Sequence, residues 1–380
     1  MEFTPVVSEV NSPYGGRLVE RVRKHVPEEL RKVEIPKRYA LDAEKIAVGA
    51  FSPLEGFMGS GEVESVLERG TLESGLPWTI PIILPLWRGL ELEVGEEILL
   101  THGSEGFAVM TVEETFRLDR RRFAERVYGT LDPAHPGVRQ TMEMSEFAVS
   151  GSIELVKRIT GDRTPREVRE EISKFGWKTV AGYQTRNPPH RAHEYVIRTA
   201  MELVDGVLIH PVVGELKTDD FPPEVIVESY KVFIDEFLPK RKVLFDTLNI
   251  AMRYAGPKAA VFLAIIRKNF GCTHFVVGRD MAGVGSYYDP YGAQKALKEL
   301  DLGIEVIALG EAFYCRRCDG VVSERNCDHD GDLRVKISMT QVRRMLSQGV
   351  EPPREMIRPE VLTILKRSFE RSDSSLKSSK

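Results

Sequence analysis

The 380-residue chain holds only four cysteines, and three of them crowd between Cys315 and Cys327. That clustering argues against a disulfide framework. It points to a metal and to a reducing, cytoplasmic setting. No run approaches the ~18 apolar residues of a membrane span, so no membrane association is expected. The opening stretch MEFTPVVSEVNSPYGG has no basic start followed by an apolar segment, and is not expected to act as a secretory signal. A basic excess is also missing: 53 Lys plus Arg face 57 Asp plus Glu, a formal net charge of -4. Nucleic-acid binding as the main activity calls for the opposite balance. No internal repeat occurs, and no GxxxxGK[ST] phosphate loop, which excludes a kinase of that class. The one candidate for disorder is the polar stretch 372–380, SDSSLKSSK.

What is present suits a globular protein: 42% hydrophobic residues allow a substantial core. Up to about residue 170, short apolar runs (Thr79–Leu86, Glu97–Thr101, Phe107–Val112) are broken by Gly, Pro and charge, which predicts a β-rich N-terminal domain. Ile153–Lys174 reads as helical. From Trp177 the pattern becomes strand–helix alternation. Strands are expected at Trp177–Tyr183, Gly206–Val213, Val243–Leu248, Phe275–Gly278 and Ile304–Leu309. Helices are expected at His190–Val204, Glu224–Phe237 and Pro257–Phe270. Repeated βα units predict an α/β domain whose mainly parallel sheet is covered on both faces. Ligands on such sheets bind beyond the carboxyl ends of the strands. That rule selects the loops Gln184–His190 and Gly278–Gly285.

The first loop reads Gln184-Thr185-Arg186-Asn187-Pro188-Pro189-His190-Arg191-Ala192-His193. It follows a strand and opens a helix, so the free N–H groups of the first helical turn are expected to form an anion site. His190 and His193 are three apart and share a face. Arg186 offers a planar fork to a tetrahedral oxyanion. Gln184 and Asn187 add neutral donors. Taken alone, a His-x-x-His pair reads equally as part of a zinc site or as surface histidines; the neighbouring Gln, Arg and Asn favour phosphate.

This loop resembles that of the ATP sulfurylases, nucleotidylyltransferases of the HxxH/HxGH type. The resemblance continues through His210-Pro211-Val212-Val213-Gly214, Met252 to Pro257, Ile265 to Asn269, Gly271 to Phe275 and Gly278-Arg279-Asp280. Phe51 to Met58 resembles the family as well. The resemblance implies a PUA-like β-rich domain (1–170), a Rossmann-like, HUP-type nucleotidyltransferase domain (171–312), a small C-terminal zinc-binding domain (313–371), and a tail. It implies that Gln184, Arg186 and the backbone at Ala282 hold sulfate. It implies that Gln184, Thr185, Arg186, Asn187, His190, His193, Gly278, Arg279, Asp280 and Met281 line the ATP site. Thr185, Arg186 and Asn187 fall on active positions, and His190 and His193 on transition-state stabilisers. A homodimer is expected on the same ground. The implied reaction joins sulfate to the α-phosphate of ATP, giving adenosine 5'-phosphosulfate (APS) and pyrophosphate, or runs in reverse to make ATP.

Sulfate is fully ionised near neutral pH and needs no general base. The barrier is repulsion and positioning, which calls for fixed donors and positive charge. Direct in-line displacement is therefore expected, and no Ser or Cys nucleophile with a paired base is apparent. Mg²⁺ is expected to arrive with ATP, since no dedicated carboxylate cage is visible. The chain departs from the family at Met281, where His is usual, and at Pro189. Ile337 to Arg343 also resembles a family segment, with Met339 in place of Gly. There Ser338 or Thr340 reads as a helix N-cap before Val342–Leu346.

Cys315-x-x-Cys318 with Cys327-x-His329 is a zinc-type ligand set, expected to be closed and structural. Asp328, Asp330 and Asp332 are alternatives to His329. Cys272 reads as a buried core thiol. Two other readings remain: a nucleotidylyltransferase with a different acceptor, and a zinc-bearing PUA-like RNA-binding protein.

Overall fold

The structure, a computed structural model, describes residues 11–86, 90–215 and 220–378, with side chains through Glu370. It divides into two compact units. One comprises residues 1–176, 249–275 and 280–306, the other 177–248, 276–279 and 307–380. In chain order the elements begin with β1 (Arg31–Glu34), α1 (Lys37–Ala47), β2 (Gly56–Phe57), α2 (Ser60–Arg69), β3 (Leu84–Pro85), β4 (Glu97–His102) and β5 (Glu105–Arg117). Next come α3 (Arg120–Tyr128), α4 (Pro136–Glu143), β6 (Phe147–Leu155), α5 (Pro165–Phe175), β7 (Val180–Thr185), α6 (Arg191–Met201), β8 (Gly206–Pro211), α7 (Pro223–Phe237) and β9 (Val243–Phe245). The order ends with α8 (Pro257–Asn269), β10 (His274–Val277), α9 (Gly292–Lys298), β11 (Glu305–Ala308), β12 (Ala312–Cys315), β13 (Gly320–Ser323), β14 (Arg334–Lys336), α10 (Met339–Ser347) and α11 (Pro359–Ser378).

The first unit carries a sheet of order β1-β4-β5-β6-β2, with β3 also on β6. Within the apolar run Thr79–Leu86, Leu84–Pro85 forms β3 and pairs with β6. The expected helix Ile153–Lys174 is corrected. Ile153–Leu155 completes β6, and α5 starts only at Pro165. The reason is local: Thr164 accepts the Glu167 N–H while the Glu167 carboxylate accepts the Thr164 N–H, a reciprocal cap that fixes the helix start. α8 is buried from Ala259 to Asn269, as a helix apolar on most sides must be. Its Phe262 ring meets Phe51 and Trp78 edge-on at 5.0 and 5.6 Å. Asn269 ties this helix to the N-terminal segment, donating to the Ala50 and Ser52 carbonyls and accepting the Tyr14 N–H.

The second sheet has the order β11-β10-β7-β8-β9, with β7, β8 and β9 parallel. Its central strand β8 is a fully buried run, Gly206–Pro211, as a covered parallel sheet requires. The core of this unit gathers Ala181, Ile197, Val207, Ile209, Ile226 and Phe233. The strands are shorter than expected or shifted by a few residues, and each expected βα unit is present. A third sheet, β13-β12-β14, is antiparallel. The backbone of α11 continues to Ser378, through most of the stretch expected to be a disordered tail; side chains beyond Glu370 lie outside the described residues. Among the described residues no helix is long and apolar enough to cross a membrane.

Candidate active site

β7 runs out at Gln184 and Thr185, in register with His210 and Pro211 of β8. The chain then turns, and the buried Thr185 hydroxyl shapes that turn. It accepts the Asn187 N–H at 3.1 Å and lies 3.3 Å from the Asn187 carbonyl. The Asn187 Oδ1 has no hydrogen-bond partner among the described residues. His190 is the N-cap of α6. Its Nδ1 accepts the His193 N–H at 3.2 Å, and the His193 Nδ1 accepts the His190 N–H at 3.3 Å. The two rings stack with centroids 3.6 Å apart and 9° between planes. The pair is thus a capping box built from imidazoles in place of the usual hydroxyl and carboxylate.

Two consequences follow. Each Nδ1 accepts a hydrogen bond, so each ring carries its own hydrogen on Nε2. Both rings are also deep among protein atoms. Desolvation, then the charge of His193, pushes the His190 imidazole well below its usual range; desolvation pushes His193 to about 4, against the pull of the Pro188 carbonyl. At neutral pH both are uncharged donors.

The expectation of a backbone anion site at this helix start needs correction. The His190 and His193 N–H groups are spent on the opposite ring, and the Arg191 N–H donates to the Met356 carbonyl at 2.9 Å. Of the first turn, Ala192 alone keeps an N–H without an acceptor among the described residues. The capping side chains replaced the anion as partners of the turn.

Positive charge comes instead from Arg186. Its Nε lies 3.6 Å from Asp220, a carboxylate only 5% exposed, which also contacts Arg343 Nη1 at 3.3 Å. Asp220 therefore stands between two guanidinium groups and restrains Arg186. Sequence reasoning missed it, because an Asp ahead of a proline-led helix carries no motif. Ser338 caps α10, accepting the Gln341 N–H at 3.3 Å, as expected, and so sets the helix that carries Arg343. Glu194 was also missed. Burial pushes its carboxyl up, but Arg358, Arg191 and Arg198 outweigh that and hold it below the usual range. This cluster anchors the first turns of α6 beneath the paired imidazoles.

The second loop is built differently. Gly278 and Arg279 belong to the second unit, where Arg279 donates to Glu311 at 3.0 Å. Asp280, Met281 and Ala282 belong to the first unit. Asp280 and Ala282 both have a φ of 55°. Left-handed backbone at a non-glycine residue costs of order 1 kcal/mol and persists only where surroundings impose it. Here the Asp280 N–H donates to Pro290 at 2.8 Å and the Ala282 carbonyl accepts the Gly256 N–H at 3.2 Å. The Ala282 N–H has no acceptor among the described residues. Alternation of this kind turns successive N–H groups into one concavity, a form suited to anions. Met281 is half-buried.

Cys315, Cys318, Cys327 and His329 come together as expected, with all four ligand atoms within 4.8 Å of one another. His329 Nδ1 lies 3.5, 3.4 and 3.3 Å from the three sulfurs in chain order, and Cys318 Sγ lies 3.8 Å from Cys327 Sγ. Arg334 donates to the Cys327 and His329 carbonyls and steadies the ligand loop. Four such groups can hold a metal ion. Cys272 is fully buried, and desolvation pushes its thiol up to about 12, so it is an inert core group as expected.

Comparison with known proteins adds an independent line. A model of the ATP-sulfurylase family matches residues 161–368, and a model of the PUA-like domain matches residues 11–158. The sulfate adenylyltransferase of Aeropyrum pernix is 45% identical over 370 residues, covering 93% of this chain and 97% of that protein. The sulfate adenylyltransferase of Hyperthermus butylicus is 44% identical, covering 94% and 96%. A solved structure described as a hexameric APS kinase from Thiobacillus denitrificans matches with a TM-score of 0.75 at 25% identity, over 94% of this chain and 68% of that one.

Proposed function

The chain belongs to the ATP-sulfurylase family, and we propose that its adenylyl transfer takes place at the junction between β7 and α6. The activity is sulfate adenylyltransferase: ATP and sulfate give APS and pyrophosphate. A sulfate oxygen forms a bond to the α-phosphorus as the bond from that phosphorus to the bridging oxygen of pyrophosphate breaks. No proton moves, because the nucleophile is already ionised.

Arg186, with Gln184, takes the sulfate. Asp220, 3.6 Å from the Arg186 Nε, keeps the guanidinium close to the loop before sulfate binds. The Asn187 amide and the turn made by Thr185 orient phosphate oxygens. His190 and His193 donate from Nε2 to the negative charge that develops on the leaving pyrophosphate. As neutral, fixed donors they cost no reorganisation and do not trap the product as a cation would. By resemblance to the family, Gly278, Arg279, Asp280 and Met281 take the nucleotide and the Ala282 backbone takes sulfate. The single observation that carries this reading is the reciprocal His190–His193 cap, which presents paired Nε2 donors at a strand-to-helix junction.

Mg²⁺ comes with ATP, held by phosphates and water. Cys315, Cys318, Cys327 and His329, with ligand atoms all within 4.8 Å of one another, would hold zinc as a structural ion. Metal analysis of the purified protein should find one zinc per chain. The three-domain division at about residues 170 and 312, the cytoplasmic location and the homodimer belong to the same reading. The PUA-like match up to residue 158 and the separate three-stranded sheet from Ala312 support the division. The test of function is exchange of labelled pyrophosphate into ATP. Exchange that depends on sulfate supports the reading; exchange indifferent to sulfate assigns another acceptor.

A further inference from the structure

His135 is fully buried, and the reaction described above gives it no task. It caps α4: its Nδ1 accepts the N–H groups of Gly137 and Val138 at 3.1 and 3.3 Å. The ring hydrogen therefore sits on Nε2. That nitrogen lies 3.1 Å from the Tyr254 carbonyl and 3.0 Å from the Tyr288 hydroxyl, and the hydroxyl donates to the same carbonyl at 3.0 Å. Three groups close a triangle around one carbonyl oxygen.

Two residues beyond that carbonyl stands Gly256, with φ 52° and ψ -121°, a conformation open to glycine. A Cβ there would lie 2.5 Å from the Tyr288 ring, so the ring is seated directly on this backbone. The Gly256 N–H then holds the Ala282 carbonyl. On the other side, Tyr288 is two residues from Pro290, whose carbonyl holds the Asp280 N–H. The neighbouring Tyr287 donates to Asp132 at 2.7 Å, and its ring meets His135 edge-on at 4.9 Å. Both strained residues of the loop are thus fastened to segments that converge on one imidazole.

We propose that His135 is a positioning residue for the substrate loop at Asp280–Ala282, acting through Tyr288 and the backbone of Tyr254–Gly256. It touches no reacting atom. Its task is to keep two left-handed residues in place so that the Ala282 N–H meets the anion. The proposal rests on the reading that this loop binds substrate.

The test uses the full chain and KM values for ATP and sulfate measured separately from kcat. Tyr288→Phe removes one hydroxyl. His135→Asn keeps a capping oxygen for α4 but withdraws the Nε2 donor. Both variants should raise KM for sulfate and ATP by about tenfold, with a smaller change in kcat and an unchanged melting temperature for Tyr288→Phe, as loss of positioning predicts. Ala282→Pro is the control, since proline removes the N–H and cannot adopt a positive φ. If Ala282→Pro raises KM while Tyr288→Phe leaves both KM values at the wild-type level, the loop binds substrate but His135 does not position it. If Ala282→Pro also leaves KM unchanged, the binding role of the loop fails, and the proposal with it. A fall in melting temperature with normal KM values in Tyr288→Phe reduces the triangle to a structural contact and overturns the proposal.

Discussion

The two loops proposed to take substrate are built by opposite means. The loop from Gln184 to His193 has ordinary backbone and unusual side-chain partnerships: Thr185 shapes the turn, two histidines cap each other, and Asp220 restrains Arg186. The loop around Ala282 has unremarked side chains and unusual backbone, with two left-handed residues held by main-chain hydrogen bonds. A site made of side chains should respond to residue identity. A site made of backbone should tolerate new side chains and fail when the chain path changes.

The sharpest test of that contrast is Arg186→Ala, which should lower sulfate-dependent exchange by about 10³-fold, the scale of losing a main anion stabiliser. Stability should move by less than about 1 kcal/mol, because Arg343 still faces Asp220. Retained exchange would remove the first loop from the chemistry. His190→Ala comes next, with kcat lower by about 10²-fold and a smaller change in the ATP KM. It should also cost about 1 kcal/mol in urea unfolding, for the lost cap. A raised KM at normal kcat reassigns the imidazole to ground-state recognition.

A third, smaller effect is on pH. The unfolded chain protonates histidine near pH 6.5. The folded site resists, with His193 displaced to about 4 and His190 held well below its usual range by burial. Above about pH 6.5 both states are neutral and stability is level with respect to this pair. Below it the unfolded chain binds protons that the folded one refuses, so urea midpoints should fall from about pH 6.5 toward about pH 4. The double variant His190→Asn, His193→Asn should flatten that slope, and an unaltered slope places the titration elsewhere. The smallest effect belongs to the second loop: Met281→His should change exchange by less than about threefold, since the backbone there does the binding. A large gain would show that a side chain at this position matters after all.

Much of this was legible in the residues. The alternation from Trp177 onward announced a covered parallel sheet, and the spacing of Cys315, Cys318, Cys327 and His329 announced a closed ligand set. The Ser338 cap was readable from composition around it. Other features were not. Ile153–Leu155 looks helical beside a polar stretch, and only pairing with β5 makes it strand. Ile265 to Asn269 and Phe51 to Met58 resemble family motifs, which invites a functional reading. In the fold, Asn269 fastens the buried helix α8 to the segment Ala50–Ser52, so that stretch serves architecture. Asp220 carries no local pattern, and the partners that set Glu194 and His135 apart, Arg358 for the one and Tyr254 and Tyr288 for the other, lie far away in the chain.

The sequence by itself determined the fold class, the family and the grouping of Cys315, Cys318, Cys327 and His329, since these depend on periodicity and on short ordered motifs. Tertiary structure decided the state of the residues in the two loops. It spent the His190 and His193 N–H groups on the opposite ring, which put the proton on Nε2, while burial kept both rings neutral. It set a buried carboxylate between two arginines, and it held Asp280 and Ala282 in a backbone they do not prefer. Each of these depends on desolvation or on contacts distant in sequence, and neither is written in local spacing.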